Sequence, residues 1–276
     1  MIIDCHMHTP LCGHARGLPV EYVRQAAQSG IHLITFTCHI PMSHIGFGGP
    51  EIRMDRKQLP RYFKMIERAA KAGERLGVKV LCGIEAEVFP DLVLMDEMDE
   101  ILREYNFDFV LGSLHHHMPV YQHWLYEEEI LKDYDIIETY FYHLIEGVRS
   151  GRYHSMAHPD VIRIYGTVKF FNPRQHETTV RKFLAALVAQ DICMEVNTSG
   201  LMKGIYEVHP DPLILDWALE MGVKLTIGSD AHIPQSVGQM YEVVLPMLKA
   251  KGFTRLYYYQ KGVRLSTPIA TIKRSV

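Results

Sequence analysis

Short, mostly apolar runs, each followed at once by a histidine or an acidic residue, recur along this chain. Six of them lie at residues 2–5, 33–38, 78–84, 107–114, 153–157 and 223–229. The residues that follow them are His6 with His8, His39, Glu85, His115, His158, and Asp230 with His232. If each run is a buried parallel strand of one barrel, these side chains meet at the carboxyl-terminal face, where barrel enzymes carry their chemistry. The pattern therefore predicts a metal site.

Segments with helical periodicity alternate with these runs. They lie at about residues 19–29, 60–76, 92–104, 127–148, 173–190, 212–221 and 236–248. A seventh predicted strand, sixth in chain order at residues 192–196, leads to Asn197 and brings a polar group without a metal ligand. Seven strands and about seven helices in alternation indicate a parallel β/α architecture. Because the site is spread over many strand ends, we expect a closed or nearly closed barrel rather than an open sheet.

Length and charge limit the class of protein further. With 276 residues, of which 47% are hydrophobic, we expect one domain over residues 1–276. A net charge of −3 gives no broad basic surface, so no nucleic-acid partner is expected. The chain shows neither a signal peptide nor an apolar stretch of ~20 residues, so we expect a cytoplasmic protein without a membrane partner. Oligomeric state stays open, since Tyr257-Tyr258-Tyr259 suits either a core or a homo-oligomer interface.

The spacing of the metal-binding residue types is informative. In His6-Met7-His8 both imidazoles lie on the same side of an extended segment, because strand side chains alternate with period two. Together with the strand-end Glu85 and with Asp230-Ala231-His232, this pair predicts a shared metal cluster. Imidazole and carboxylate ligands suit zinc, iron and manganese about equally. Six other histidines, His209 among them, have no spacing that indicates a role.

In four motifs the chain resembles the polymerase and histidinol phosphatase (PHP) superfamily. They are the segments 4–9 (Asp-Cys-His-Met-His-Thr), 37–39 (Thr-Cys-His), 158–160 (His-Pro-Asp) and 228–232 (Gly-Ser-Asp-Ala-His). Two shorter segments, 83–85 and 112–115, supplement them, and the resemblance extends over residues 1 to about 245. It implies a distorted seven-stranded β/α barrel that holds three divalent ions of zinc, iron or manganese.

The resemblance also implies which residues bind each ion. The first set is His6, His8, Glu85 and Asp230; the second shares Glu85 and adds His115 and His158; the third is His14, His39 and His232. Cys38 is a departure, because many relatives have Asp before the motif histidine. The histidine itself remains, so the change affects a hydrogen bond around the ligand rather than the ligand.

Such a cluster suits hydrolysis of phosphate esters. Two ions ~3.5–4 Å apart bind a water between them, lower its pKa and stabilise an in-line displacement. A third ion then neutralises phosphate oxygens. We therefore expect Glu85, Asp230 and His232 to be catalytic residues of the cluster. No P-loop, G-x-S-x-G or C-x5-R motif is present to indicate a protein nucleophile.

Within the superfamily, the histidinol-phosphate phosphatase branch has about this length and similar segments at 8–15, 36–41, 85–87 and 158–163. This implies L-histidinol phosphate, a small phosphorylated metabolite, as the substrate. Arg163 is expected to grip the phosphate through its forked guanidinium. Glu87 or Asp160 is expected to receive the ammonium group. His116 and His117, which follow a predicted ligand, are further substrate contacts.

Other functions stay open at this point. A phosphoesterase of similar metals could act on another phosphorylated metabolite or a nucleotide. A protein-tyrosine phosphatase would need a shallow basic surface, and a non-catalytic metal-binding module would be marked by lost ligands. None of the nine ligand positions is lost in this sequence.

Overall fold

Seven parallel strands, in chain order, form the centre of the protein in the computed structural model, which describes residues 1–270. They are β1 (Ile3–Asp4), β2 (Leu33–Phe36), β3 (Lys79–Glu87), β4 (Phe109–Ser113), β5 (Ser155–Met156), β6 (Cys193–Asn197) and β7 (Leu225–Gly228). Each strand pairs in parallel with the next along the chain. Six of the strands are buried along their whole length, as expected when helices cover a parallel sheet.

The first and last strands meet and close the sheet. Cys5 N donates to Ile227 O at 2.8 Å, and Met7 forms a parallel bridge with Ala231. The fully buried carboxylate of Asp4 accepts hydrogen bonds from Ser229 N at 2.9 Å, from Ser229 Oγ at 2.6 Å and from Gly238 N at 2.9 Å. These contacts confirm the predicted seven-stranded β/α barrel.

In the described part of the chain, eight helices surround the strands. They are α1 (Pro19–Gln28), α2 (Leu59–Leu76), α3 (Leu92–Glu104), α4 (Pro119–Glu127), α5 (Asp133–Arg149), α6 (Glu177–Ala189), α7 (Pro212–Met221) and α8 (Tyr241–Lys251). Four of them have Pro in the first turn, where the missing N–H costs no helix hydrogen bond. Gly77 and Gly222 end α2 and α7 in the left-handed conformation that glycine adopts without strain. Within residues 1–270 no helix has both the length and the apolar character needed to cross a membrane.

The prediction was wrong at three places. The helix predicted over 127–148 begins only at Asp133, as α5; a helix that was not predicted, α4, ends at Glu127, and Glu129 adopts a left-handed conformation (φ 57°) between the two. The last helix begins at Tyr241 rather than near 236, because the left-handed Met240 (φ 61°) precedes it. A C-terminal antiparallel hairpin, β8 (Arg255–Gln260) with β9 (Val263–Pro268), was not predicted at all.

This hairpin covers the amino-terminal end of the barrel. Tyr259 is buried and stacks on Phe109, at the start of β4, and on His154, with ring centroids 5.4 and 4.6 Å apart. His154 is half-buried, and its Nδ1 accepts from Val110 N at 2.9 Å. The carboxyl-terminal ends of the strands are thereby left as the open face of the barrel.

Candidate metal centre and active site

The predicted ligands converge at the carboxyl-terminal face. His6 and His8 follow β1, and Met7 between them is fixed by its bridge to Ala231. Asp230 has a left-handed backbone (φ 54°), which is uncommon outside glycine and is concentrated at functional sites. This turn at the end of β7 directs its carboxylate towards His8, with Oδ1 3.2 Å from Nε2.

The four residues of the first predicted ligand set form a compact group. Nε2 of His6 lies 3.2 Å from Nε2 of His8. Glu85 Oε2 is 3.6 and 3.7 Å from these two nitrogens, and Asp230 Oδ1 is 3.7 Å from His6 Nε2. In a four-coordinate site with bonds of roughly 2.0–2.1 Å, ligand atoms lie about 3.3–3.4 Å apart. The observed spacing therefore fits one ion.

The other oxygen of Glu85 faces the second set. Oε1 lies 3.5 Å from His115 Nε2 and 3.3 Å from His158 Nε2. The hydroxyl of Ser113, at the end of β4, lies 3.3 and 3.5 Å from the same two nitrogens. Since its two oxygens face different groups of histidines, Glu85 has the placement of a carboxylate shared by two ions.

The third set lies towards solvent. Nε2 of His14 and Nε2 of His232 are 2.8 Å apart, and the ring of His39 lies 5.5 Å from that of His14. His14 is exposed, whereas His39 is buried and places Nδ1 2.8 Å from Glu85 Oε2. The structure thus brings all nine predicted ligands into one cluster.

Unsatisfied polar atoms test whether this cluster fits cations. Both carboxylate oxygens of Glu85 are buried and lack a hydrogen bond of good geometry, although His39 Nδ1 is close to one of them. Burial raises the pKa of Glu85, but His39, His6 and His115 reverse this and hold it well below its usual value. A buried carboxylate without hydrogen bonds is costly unless it is paired or binds metal. The donor set therefore fits divalent ions.

Two further carboxylates orient histidine ligands by accepting hydrogen bonds from their Nδ1 atoms. Glu195 accepts from His6 Nδ1 at 2.8 Å and from His158 N at 2.9 Å. Glu87 accepts from His115 Nδ1 at 2.6 Å and from the buried Arg53. A carboxylate on Nδ1 fixes the tautomer in which Nε2 is free to bind metal. Glu87 was predicted to contact substrate, but these partners engage it inside the protein. Glu195 was missed, although a lone acid within an apolar strand was a visible signal.

Loading the protein with Mn²⁺ near pH 7 should release protons. Burial favours neutral imidazoles, but Asp230 beside His8, and Glu87 with Glu85 beside His115, raise the pKa of both to about 9. Both rings are then mainly protonated near neutral pH, and metal must displace their protons. Affinity should therefore rise with pH up to about 9. Calorimetric titration in buffers of different ionisation enthalpy counts the protons, and a buffer-independent heat would contradict this assignment.

Asp160 and Arg163, both predicted to contact substrate, face each other behind the cavity. Asp160 is fully buried and accepts from Arg163 Nη1 at 2.9 Å and from His209 Nδ1 at 2.6 Å. A 3-10 turn over Val161–Arg163 brings the guanidinium back to this carboxylate, and Glu207 binds its other end. Neither residue lines the cavity. The structure therefore offers no support for Arg163 as a phosphate ligand.

The two histidines after His115 differ in placement. His116 is buried, with hydrogen bonds to Thr167 Oγ1 at 2.6 Å and to Val161 O at 3.1 Å, and it does not line the cavity. His117 does line it and packs against Tyr165, with ring centroids 4.2 Å apart. Of the predicted substrate contacts, His117 is therefore the one that the structure places at the cavity.

A cavity of about 200 Å³ opens beside the cluster. Seven predicted ligands line it: His14, His39, Glu85, His115, His158, Asp230 and His232. Ile52 and Met118, from the two loops after β2 and β4, add apolar walls.

Lys203, Ser199 and His209, which sequence reasoning missed, also line this cavity. Among residues 1–270, Lys203 is the only lysine or arginine that does so, and its Nζ lies 3.5 Å from Asp230 Oδ2. The available signal was that Ser199 and Lys203 lie in the loop after a barrel strand.

Comparison with known proteins agrees with this description. The PHP domain model matches residues 4–199, and the PHP-associated model matches residues 213–254. A probable histidinol-phosphatase from Deinococcus radiodurans is 32% identical over 246 residues, covering 86% of this chain and 88% of that protein. The histidinol-phosphatase of Lactococcus lactis is 24% identical over 276 residues, covering 98% of each chain.

The crystal structure of the Lactococcus lactis histidinol phosphate phosphatase, in complex with zinc, L-histidinol and phosphate, has the same fold. It matches with a TM-score of 0.79 at 21% identity, covering 96% of this chain and 98% of that one. The resemblance that the strand-end motifs indicated is thus confirmed, and the chain belongs to the PHP family.

Proposed function

We propose that this protein is a metal-dependent phosphatase that hydrolyses L-histidinol phosphate to L-histidinol and phosphate. The observation that carries the proposal is Glu85, a buried carboxylate whose two oxygens face different groups of histidines. Hydrolases in which water displaces the alcohol of a phosphate ester commonly hold two cations on one shared carboxylate. The cavity beside it, about 200 Å³, suits a small metabolite rather than a protein or a nucleic acid.

Three divalent ions of zinc, iron or manganese would supply activation of water and neutralisation of phosphate charge when bound. Residues of the chain would orient the metal ligands and bind the phosphate. Glu195 and Glu87 hold the rings of His6 and His115 with Nε2 directed inward. The ammonium group of Lys203, at the cavity wall, binds a phosphate oxygen. Ser199 Oγ donates to Asp230 Oδ2 at 3.2 Å and so orients the carboxylate at the end of β7.

The relatives support this substrate. The Deinococcus radiodurans protein is a probable histidinol-phosphatase, and the Lactococcus lactis structure holds zinc, L-histidinol and phosphate. On this basis zinc is the first metal to test. We further propose that residues 1–276 act as one domain in the cytoplasm, without a nucleic-acid or membrane partner.

Kinetics on three substrates test the function. We expect kcat/KM for L-histidinol phosphate to exceed that for p-nitrophenyl phosphate or for a nucleoside monophosphate by roughly 10²-fold. Such a factor corresponds to one charged hydrogen bond to the amine worth about 2–3 kcal/mol, expressed in the transition state. Equal kcat/KM values for the three would refute histidinol phosphate as the specific substrate. No phosphate release from any of them by the metal-loaded protein would refute phosphatase activity towards these esters.

A further inference from the structure

The backbone of His209 is fixed to the end of a barrel strand. His209 N donates to Asn197 O at 3.0 Å, and Asn197 N donates to His209 O at 2.7 Å, which makes an isolated antiparallel bridge at the end of β6. The residue has no exposed surface, yet it lines the cavity beside the metal cluster. A buried imidazole held this firmly at the cavity wall needs an explanation.

Its hydrogen bonds define which nitrogen carries the proton. Nδ1 lies 2.6 Å from Asp160 Oδ1, and Oδ2 of the same carboxylate accepts from Arg163 Nη1 at 2.9 Å and from Asp211 N at 2.7 Å. A carboxylate held by these donors is an acceptor, so Nδ1 of His209 donates to it. In the neutral ring Nε2 is then an acceptor.

That acceptor has no partner within the described part of the protein. Nε2 of His209 is buried and makes no hydrogen bond. Glycine at position 200 keeps the space beside this atom open, because a Cβ there would lie only 3.1 Å from Nε2 and 3.0 Å from Cδ2. Buried polar atoms without partners are rare in folded proteins and indicate an unseen water, ion or ligand.

We propose that Nε2 of His209 accepts a hydrogen bond from the ammonium group of the substrate. The proposal rests on the proposed function and adds the residue that recognises the amine. The Asp160 carboxylate behind the ring strengthens the acceptor for a cationic donor. Glu87, the other acid once expected to bind the amine, is engaged by His115 and Arg53 and does not line the cavity.

Arg163 gains a role in this arrangement. It does not reach the cavity, but it holds Asp160, which in turn orients His209. Arg163 is therefore a positioning residue, and the amine contact is made by a neutral ring rather than by a carboxylate. Asp160, which was expected to bind the ammonium group directly, acts through His209.

Two variants and two substrates test the proposal. The substrates are L-histidinol phosphate and 3-(imidazol-4-yl)propyl phosphate, which lacks only the amine. His209→Asn keeps a donor for Asp160 but removes the acceptor, and should lower kcat/KM for L-histidinol phosphate by roughly 10- to 100-fold. The amine-free ester should change by less than about threefold. His209→Gln places an amide oxygen near the position of Nε2 and should restore part of the loss.

Asp160→Asn provides a second route that leaves the ring in place. Its amide donates to Nδ1, so the proton moves to Nε2 and the acceptor is lost, and the same amine-dependent loss is expected. His123→Asn, an exposed histidine on α4, is the control and should leave both substrates unaffected. Metal content and melting temperature, measured for every variant, show whether the protein is still folded.

Several outcomes would overturn the proposal. Equal losses for both esters would indicate a structural role or a contact with the phosphate. Unchanged kinetics in a folded His209→Asn protein would show that Nε2 contacts no substrate. If the unaltered enzyme hydrolyses both esters equally well, there is no amine recognition for His209 to supply. Failure of the proposed function is distinct, because the unaltered enzyme would then release no phosphate from L-histidinol phosphate.

Discussion

Replacement of Glu85 by glutamine should lower kcat for L-histidinol phosphate by roughly 10²- to 10⁴-fold. The amide keeps the shape of the side chain but provides one oxygen, so one of the two histidine groups loses the ligand it shares. A metal ion would contribute several kcal/mol of transition-state charge stabilisation, and about 3–5 kcal/mol corresponds to roughly 10²–10⁴-fold in rate. Metal content should fall by about one equivalent from the three expected of the unaltered protein, as elemental analysis will measure.

Glu128→Gln, at an exposed position after α4, is the matched control. It makes the same chemical change far from the cluster and should alter neither metal content nor kcat. If Glu85→Gln retains three equivalents of metal and near-normal turnover, the shared-carboxylate assignment is wrong. Far-ultraviolet circular dichroism of both variants will separate loss of metal from loss of fold.

Replacement of Lys203 by methionine should lower kcat/KM by about 10²- to 10³-fold. Methionine has a similar length but no charge, and among the described residues Lys203 is the only lysine or arginine that lines the cavity. A cation aimed at transferring phosphate oxygens in a confined site contributes to the transition state at this scale. The side chain is 33% exposed, so we expect little change in folding.

Lys203→Arg should recover part of this activity because it keeps the charge, while Lys182→Met on α6 should have no effect. Steady-state kinetics across the three variants, with inorganic phosphate as a product inhibitor, give the result. Unchanged inhibition by phosphate in Lys203→Met would show that the lysine binds another part of the substrate.

Most of the ligand cluster could be predicted because its geometry follows from periodicity, whereas His14, which follows no strand, was implied only by the resemblance to the PHP superfamily. Parallel strands all end at the same face, so a histidine or acid directly after an apolar run has a known location before its contacts are known. His6 and His8 show this best, since period two alone places both rings on one side. The barrel followed from the same alternation of strands and helices.

The substrate contacts could not be predicted in this way. Arg163 and Glu87 lie at the carboxyl-terminal end of the barrel, but the orientation of each side chain depends on its hydrogen-bond partners. Arg163 folds back on Asp160 three residues earlier, and Glu87 is bound by Arg53 from a distant loop. Lys203 and His209 lie in an irregular segment without periodicity, so nothing in the local pattern distinguishes them. The C-terminal hairpin was missed because its alternation was interpreted only as an aromatic cluster.

The junction of β1 with β7 determines when this site can form during synthesis. Asp4 depends on Ser229 and Gly238, and His8 on Asp230, so the first ligand set stays incomplete until the last barrel strand has left the ribosome, although Glu85 is made much earlier. At 5–20 residues per second, the delay between residues 8 and 238 is roughly 10–50 s. Over that interval the His6-Met7-His8 segment lacks Asp230, one of the four residues of its ligand set. Assembly of the cluster is therefore a late event, completed only after the last strand of the barrel has been synthesised.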